Sequence, residues 1–180
     1  MKHFIFALLF LCSPAFACVS IFTKPCDKML ETLGSKGQEE LIIPGYAYHD
    51  RNSYSAEKIK SFNEYAWGIG YARTVTDPDQ DQHSLYWIVF KDSHRANQFQ
   101  FGYMYQTYWG QPGNLQAGLG YTAFLITRPD IFKGIPFPAA VPVASLKWNK
   151  FTLYGTFIPK VNDKLNNGNV AFLFTKYNLE

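Results

Sequence analysis

The chain has 180 residues, enough for one folded domain, and with 47% hydrophobic and only 17% charged residues it is not an intrinsically disordered segment. A net charge of +3, without a basic helix or an aromatic-rich RNA signature, argues against nucleic acid as a partner. Aromatics reach 18%, yet beyond the N-terminus no run of 18 apolar residues occurs, so a membrane-spanning role has to use strands.

Residues 1–17 read as a secretory signal: Lys2, an apolar core from Phe4 to Leu11, and the small-x-small site Ala15-Phe16-Ala17. Residues 18–180 are then one mature domain. Cleavage after Ala17 leaves Cys18 at the new N-terminus, which raises lipidation as an alternative. The mature chain keeps Cys18 and Cys26, readable either as a short disulfide in an oxidising compartment or as two unpaired thiols. Next, Cys26, Met29, Leu30 and Leu33 recur at helical spacing, with Pro25 at a first-turn position and Gly34 as the stop, predicting a short amphipathic helix. Its stripe suits a membrane surface, the side of a barrel, or a soluble core.

After Gly37 the pattern changes to period two. Eight tracts are predicted as strands, approximately Leu41 to Arg51, Tyr65 to Thr76, His83 to Lys91, Phe99 to Tyr108, Leu115 to Thr127, Phe137 to Leu146, Phe151 to Ile158 and Val170 to Tyr177. The alternation separates faces. Ile42, Tyr46 and Tyr48 oppose Gly45, Ala47 and His49; Trp67, Ile69 and Tyr71 oppose Gly68, Gly70 and Ala72. Phe99, Phe101, Tyr103 and Tyr105 oppose Gln100, Gly102, Met104 and Gln106. Bulky aromatics outward and small or amide residues inward describe a lipid-facing wall, so the expected fold is all-β: an eight-stranded antiparallel transmembrane β-barrel with a short N-terminal amphipathic helix. In the last strand Val170, Phe172 and Phe174 share a face while Leu173 takes the other, which allows an apolar lumen holding one slim ligand.

In an up-and-down barrel, the ends of odd strands and the starts of even ones share a rim. His49 therefore meets Asp92 and Ser93 there, beside the long connection from Asn52 to Glu64, while the tight Asp77 to Gln82 turn lies at the opposite end. A histidine, an aspartate and a hydroxyl offer a base, an orienting anion and a polar group for ester chemistry. Their plain readings are a polar rim residue and a turn. No zinc spacing, phosphate loop, nucleophile elbow or redox cysteine pair occurs, so neither metal nor cofactor is expected.

Short motifs in one order make the chain recognisable. They are Ile43-Pro44 with Tyr48-His49, Asn63-Glu64 leading to Trp67-Gly68, Leu85-Tyr86 leading to Phe90-Lys91-Asp92-Ser93, and Leu119-Gly120-Tyr121-Thr122-Ala123. Pro142-Val143-Ala144-Ser145, Ile158-Pro159 and Asn166-Asn167-Gly168-Asn169-Val170 follow. On these residues the chain resembles the lipid A palmitoyltransferase family, often called PagP. The resemblance implies a monomeric eight-stranded barrel of the Gram-negative outer membrane; with the N-terminus periplasmic, as such barrels commonly arrange it, the active rim is expected to face outward. It also implies that an acyl chain, typically palmitate, moves from the sn-1 position of a glycerophospholipid donor to a lipid A acceptor. The family's catalytic histidine, aspartate and serine fall on His49, Asp92 and Ser93, with His49 as general base, Asp92 orienting its ring, and Ser93 polarising the carbonyl or positioning substrate.

The resemblance further implies lateral openings in the wall at prolines, which lack a backbone donor: Pro142 and Pro159 for one and Pro44 for the other. Ala66 departs from it, standing where the family has proline. Parity points Gly102 and Met104 into the lumen; where the family's acyl pocket ends at glycine this chain has Met104, which predicts a shallower pocket and a shorter chain unless the side chain bends aside. Arg128, with Arg51, Lys58, Lys60, Arg95, Lys133, Lys160 and Lys164, is expected near the outer rim, facing lipid phosphates or simply solvated. The alternatives are an outer-membrane phospholipase, a non-catalytic lipid-binding barrel and a soluble lipocalin-like carrier.

Overall fold

An open sheet in hydrocarbon leaves a row of unpaired backbone groups at each edge, and closing the sheet on itself removes them. The computed structural model describes residues 23–34, 37–161 and 166–180. Its strands are β1 (Gln38–His49), β2 (Gly68–Thr76), β3 (Gln82–Lys91), β4 (Asn97–Trp109), β5 (Gln116–Ile126), β6 (Phe137–Trp148), β7 (Phe151–Ile158) and β8 (Val170–Asn178). Each is antiparallel to the next, and β8 pairs with β1 to close the expected eight-stranded barrel. No described helix is long and apolar enough to cross a membrane. The signal segment, the fate of Cys18 and its pairing lie outside the described residues; Cys26 itself is disulfide-bonded.

The outer wall carries the predicted bulky residues. Trp67, Phe99 and Phe157 are exposed toward one rim, Trp109, Trp148 and Phe151 toward the other, with Ile69, Trp87, Leu119, Leu153 and Leu173 among the exposed residues between them. Two aromatic girdles flanking an apolar band are what a lipid-facing barrel needs. One expected face is corrected. Ile42 is buried in the lumen, not outward with Tyr48, because β1 carries an irregularity between Pro44 and Tyr46. One extra residue there, Gly45, reverses the parity: Ile42 and Pro44 point in below it, Ala47 and His49 above it. Tyr65, predicted inside the second strand, makes only an isolated bridge to Tyr46.

Helix α1 (Thr23–Leu33) lies against the outside of β2 and β3. Its expected stripe splits: Cys26 and Met29 are half-buried, whereas Leu30 and Leu33 are 54% and 53% exposed, a greasy edge free to face lipid. Arg73 of β2 reaches out to the helix end, donating at 3.3 Å to the carbonyl of Leu33, an acceptor the helix C-terminus leaves over, and at 3.3 Å to that of Gly37 just before β1.

Inside, the barrel has two halves. Toward the α1 end it is plugged by side chains: Lys176 of β8, 1% exposed, pairs with Glu40 of β1 and donates to Ser84 Oγ at 3.1 Å and Thr74 Oγ1 at 3.2 Å. Thr74 also donates to Glu40. The Gln106 amide donates to the Val143 carbonyl at 3.0 Å and accepts from Ser145 at 2.6 Å, while Tyr108 and Tyr154 meet hydroxyl to hydroxyl at 3.2 Å. Buried charges are tolerable only when bonded in this way, and breaking one such pair strands the other charge. Lys176→Met, which leaves Glu40 buried without its cation, is expected to lower unfolding free energy by about 3–5 kcal/mol. Urea titration of the folded barrel in detergent measures it, and a wild-type midpoint would contradict this account.

Candidate active site

β1 ends at His49 because the next residue folds the chain back. The Asp50 carboxylate accepts from the Asn52 N–H at 3.0 Å and the Ser53 hydroxyl at 2.7 Å, a local turn that competes with the strand. At the end of β3, Asp92 does the same, its Oδ1 accepting from the N–H groups of His94 and Ala96 at 2.8 Å each. Between them the long connection forms α2 (Ala56–Ser61), capped by the Ser55 hydroxyl. It then docks on the β3–β4 turn, Asn63 donating through its backbone to the Ser93 carbonyl at 2.8 Å and through its side chain to the Asp92 carbonyl at 3.3 Å.

These turns bring His49, Asp92 and Ser93 onto the mouth of one cavity of about 860 Å³. Its walls below are Ile88, Phe90, Phe124, Ile126, Phe172 and others of that apolar kind, and it stops at the level of Ile42, Tyr86, Met104, Thr122 and Phe174, above the polar plug. Tyr86 is held in the wall by Gln100, which donates to its hydroxyl at 2.5 Å, and by Thr122 at 2.8 Å.

The His49 ring is 4% exposed, tilted against Phe62 at 4.4 Å between centroids and edge-on to Tyr54 at 5.5 Å. Its Nδ1 lies 3.3 Å from Glu64 Oε1, which also accepts the His49 backbone N–H at 3.0 Å. Among the described residues neither the Asp92 carboxylate nor the Ser93 hydroxyl hydrogen-bonds to His49, so Glu64 makes the ring contact expected of Asp92. Glu64 is further held by the Tyr46 hydroxyl and by Arg51 in a fork, NH1 to Oε1 at 2.6 Å and NH2 to Oε2 at 2.7 Å. Bonding to that guanidinium is the main reason the Glu64 carboxyl titrates at about 2, with Tyr46 and His49 adding to it and burial opposing it. Sequence periodicity had no means of finding Glu64, which sits in the connection outside the strands; its place in the Asn63-Glu64 motif was the sole signal.

The remaining predicted residues divide. Met104, 2% exposed, lies at the cavity floor, and Arg128 and Pro159 line the mouth. Gly102, Pro44 and Pro142 do not line it. Gly102 faces inward, but a Cβ there would meet the Phe124 Cβ at 2.6 Å and the Tyr86 hydroxyl at 3.0 Å, so its neighbours already fill its space. Arg128 forks onto its neighbour Asp130, Nε to Oδ1 at 3.1 Å and NH2 to Oδ2 at 2.6 Å. Lys164 lies outside the described residues.

The wall has two lapses. The β6–β7 ladder runs from Trp148↔Phe151 to Val143↔Thr156 and stops there, leaving residues 137–142 without a β7 partner, and Pro142 offers only its carbonyl, to Thr156 Oγ1 at 2.7 Å. The β1–β2 ladder ends at Ile42↔Gly70. Beyond it the connection stitches the gap, Ala47 donating to the Glu64 carbonyl at 2.8 Å and Ala66 to the Gly45 carbonyl at 3.0 Å. A proline at 66 has no N–H for the second bond, so this lapse is the more closed of the two.

The family model described as antimicrobial peptide resistance and lipid A acylation protein PagP matches residues 29–176. The chain is 36% identical over 174 residues to the lipid A acyltransferase PagP of Bordetella parapertussis (strain 12822), covering 96% of this chain and 94% of that protein. It is 36% identical over 153 residues to the protein of that name from Methylobacillus flagellatus, covering 85% and 81%, and 37% over 159 residues to that of Legionella pneumophila (strain Corby), covering 88% and 83%.

A carboxylate whose pKa is lowered on folding binds fewer protons folded than unfolded. Its stabilisation is therefore complete above its ordinary value and is lost as pH falls through the folded one. For Glu64 the window runs from about 4.5 down to about 2. Glu64→Gln is expected to be less stable than wild type at pH 7, the two converging across that window. Unfolding followed at stepped pH checks this, and a gap that stays constant to pH 2 contradicts it.

Proposed function

Because the chain belongs to the PagP family of lipid A acylation proteins, we propose that it is an outer-membrane acyltransferase moving a fatty acyl chain, palmitate or somewhat shorter, from the sn-1 position of a glycerophospholipid to lipid A. The observation that carries this is the apolar, closed-bottom cavity opening under a buried histidine. A slot of hydrocarbon character with one titratable ring at its mouth suits an acyl ester with its tail inserted and its carbonyl at the rim. The β6–β7 lapse supplies a route from the bilayer that does not pass through water. The rim with the long connection faces outward, as barrel topology favours, and the closed ring leaves no strand edge that requires a partner subunit.

In this mechanism the neutral His49 ring takes the proton of a lipid A hydroxyl as its oxygen bonds to the ester carbonyl carbon. The tetrahedral oxyanion collapses, the bond to the glycerol oxygen breaks, and the imidazolium returns the proton to that oxygen, releasing lysophospholipid and acylated lipid A. Ser93 polarises the carbonyl. Asp92, spent on its own turn, sets where Ser93 stands.

Expression in a Gram-negative strain lacking such an activity is expected to add one acyl group to lipid A by mass spectrometry, and His49→Ala to abolish the addition while the barrel still folds. Acylation by His49→Ala, or free fatty acid released with lipid A unchanged, would overturn the reading. Met104 at the floor is expected to make the wild type transfer chains shorter than palmitate, and Met104→Gly to shift the product toward longer ones. Palmitate as the sole wild-type product would remove the shortened pocket.

A further inference from the structure

We propose that Glu64, with Arg51 as its counter-charge, is the positioning residue for His49, fixing which ring nitrogen carries the proton and stabilising the ring once it is protonated. The inference rests on His49 acting as the general base. One nitrogen, Nδ1, faces a carboxylate oxygen at 3.3 Å, and the same oxygen holds the His49 backbone N–H at 3.0 Å, so backbone and ring are anchored to one atom. Facing an acceptor, Nδ1 keeps its hydrogen, and the basic lone pair is left on Nε2. Phe62 and Tyr54 pack on the ring and limit its rotation.

Glu64 is itself over-determined. Arg51 grips both oxygens and also donates to the His49 carbonyl at 2.9 Å, and Tyr46 donates to Oε2. The Glu64 main chain is tied to β1 by the bond from Ala47 at 2.8 Å. A carboxylate fixed by three elements of the local frame, with its charge kept through the working range, meets the requirements of an orienting anion beside a catalytic imidazole. Asp92 is not placed for that role, since its bonded oxygen accepts two backbone donors of its own turn and no bond joins it to the His49 ring.

The charged and titratable groups nearby are Tyr46 and Tyr48 on β1, Asp50, Arg51, Tyr54 and Lys58 on the connection, and Lys91, Asp92 and His94 at the end of β3. Of these only Arg51 and Tyr46 share Glu64 with His49, so exchanging Arg51 or Glu64 alters the ring's field with opposite sign. Removing the anion with Glu64→Gln destabilises the imidazolium. Removing the cation with Arg51→Gln leaves the anion unneutralised and stabilises it.

The test is the pH dependence of kcat for acyl transfer by full-length protein in detergent, with phospholipid donor and lipid A acceptor, using barrels whose folded mobility on unheated gels matches wild type. Glu64→Gln is expected to lower kcat on the order of 100-fold with little change in KM, and to move the acid limb to lower pH by about one unit. Arg51→Gln is expected to move the same limb to higher pH. A purely structural role gives no shift, or shifts of one sign, and either result overturns the proposal. Should Glu64→Gln fail to fold, the Arg51→Gln shift alone decides, its absence counting against the proposal. His49→Ala run in parallel separates the two ideas: activity there removes the base, whereas an inactive His49→Ala beside a wild-type Glu64→Gln profile removes only Glu64.

Discussion

Backbone pairing in a medium without water is the constraint on which the structure depends. A peptide group facing hydrocarbon has no solvent partner, so the sheet has to close, and eight antiparallel ladders do close it. Against that requirement the two places where ladders stop early stand out. At β6–β7 the ladder ends at Val143, one residue from Pro142, which has no hydrogen to donate. At β1–β2 the missing ladder is replaced by bonds from the connection, and the segment that makes them also delivers Glu64 to His49. The wall's repair and the site's electrostatics thus come from the same few residues.

The lumen follows from how each inward position is filled. In one half polar side chains bond to one another across the bore, and Lys176, Glu40, Thr74 and Ser84 draw β8, β1, β2 and β3 together across the closing seam. In the other half the inward side chains are mostly aliphatic and aromatic and do not fill the bore, which leaves the cavity. An apolar void of that size in water is costly, and hydrocarbon is the filling its walls favour. The boundary between the halves is one layer thick: Met104 is the last residue above, Gln106 the first below.

Much of this architecture was legible in the residue order. Strand number and the outward aromatics come from period-two alternation, which depends only on side chains taking opposite faces. The rim grouping of His49, Asp92 and Ser93 came from antiparallel parity. What failed did so for local reasons. Ile42 was placed outward because nothing in the string Ile42 to Tyr48 announces the extra residue at Gly45 that reverses the faces. Gly102 was expected along the cavity, but parity gives direction and not free volume, and Tyr86 and Phe124 already occupy the space. Glu64 escaped because a contact between a loop carboxylate and a strand-end ring is set by chain folding over 15 residues, which no periodicity encodes.

The layer of bonded side chains beneath Met104 also bears on the envelope around the cell. A barrel of this kind perforates the bilayer in outline, but its bore is corked midway by an ion pair and amides that exclude a continuous file of solvent. A solute small enough to enter at the mouth therefore meets a dead end at that layer, and the barrel serves as a receptacle and not as a conduit.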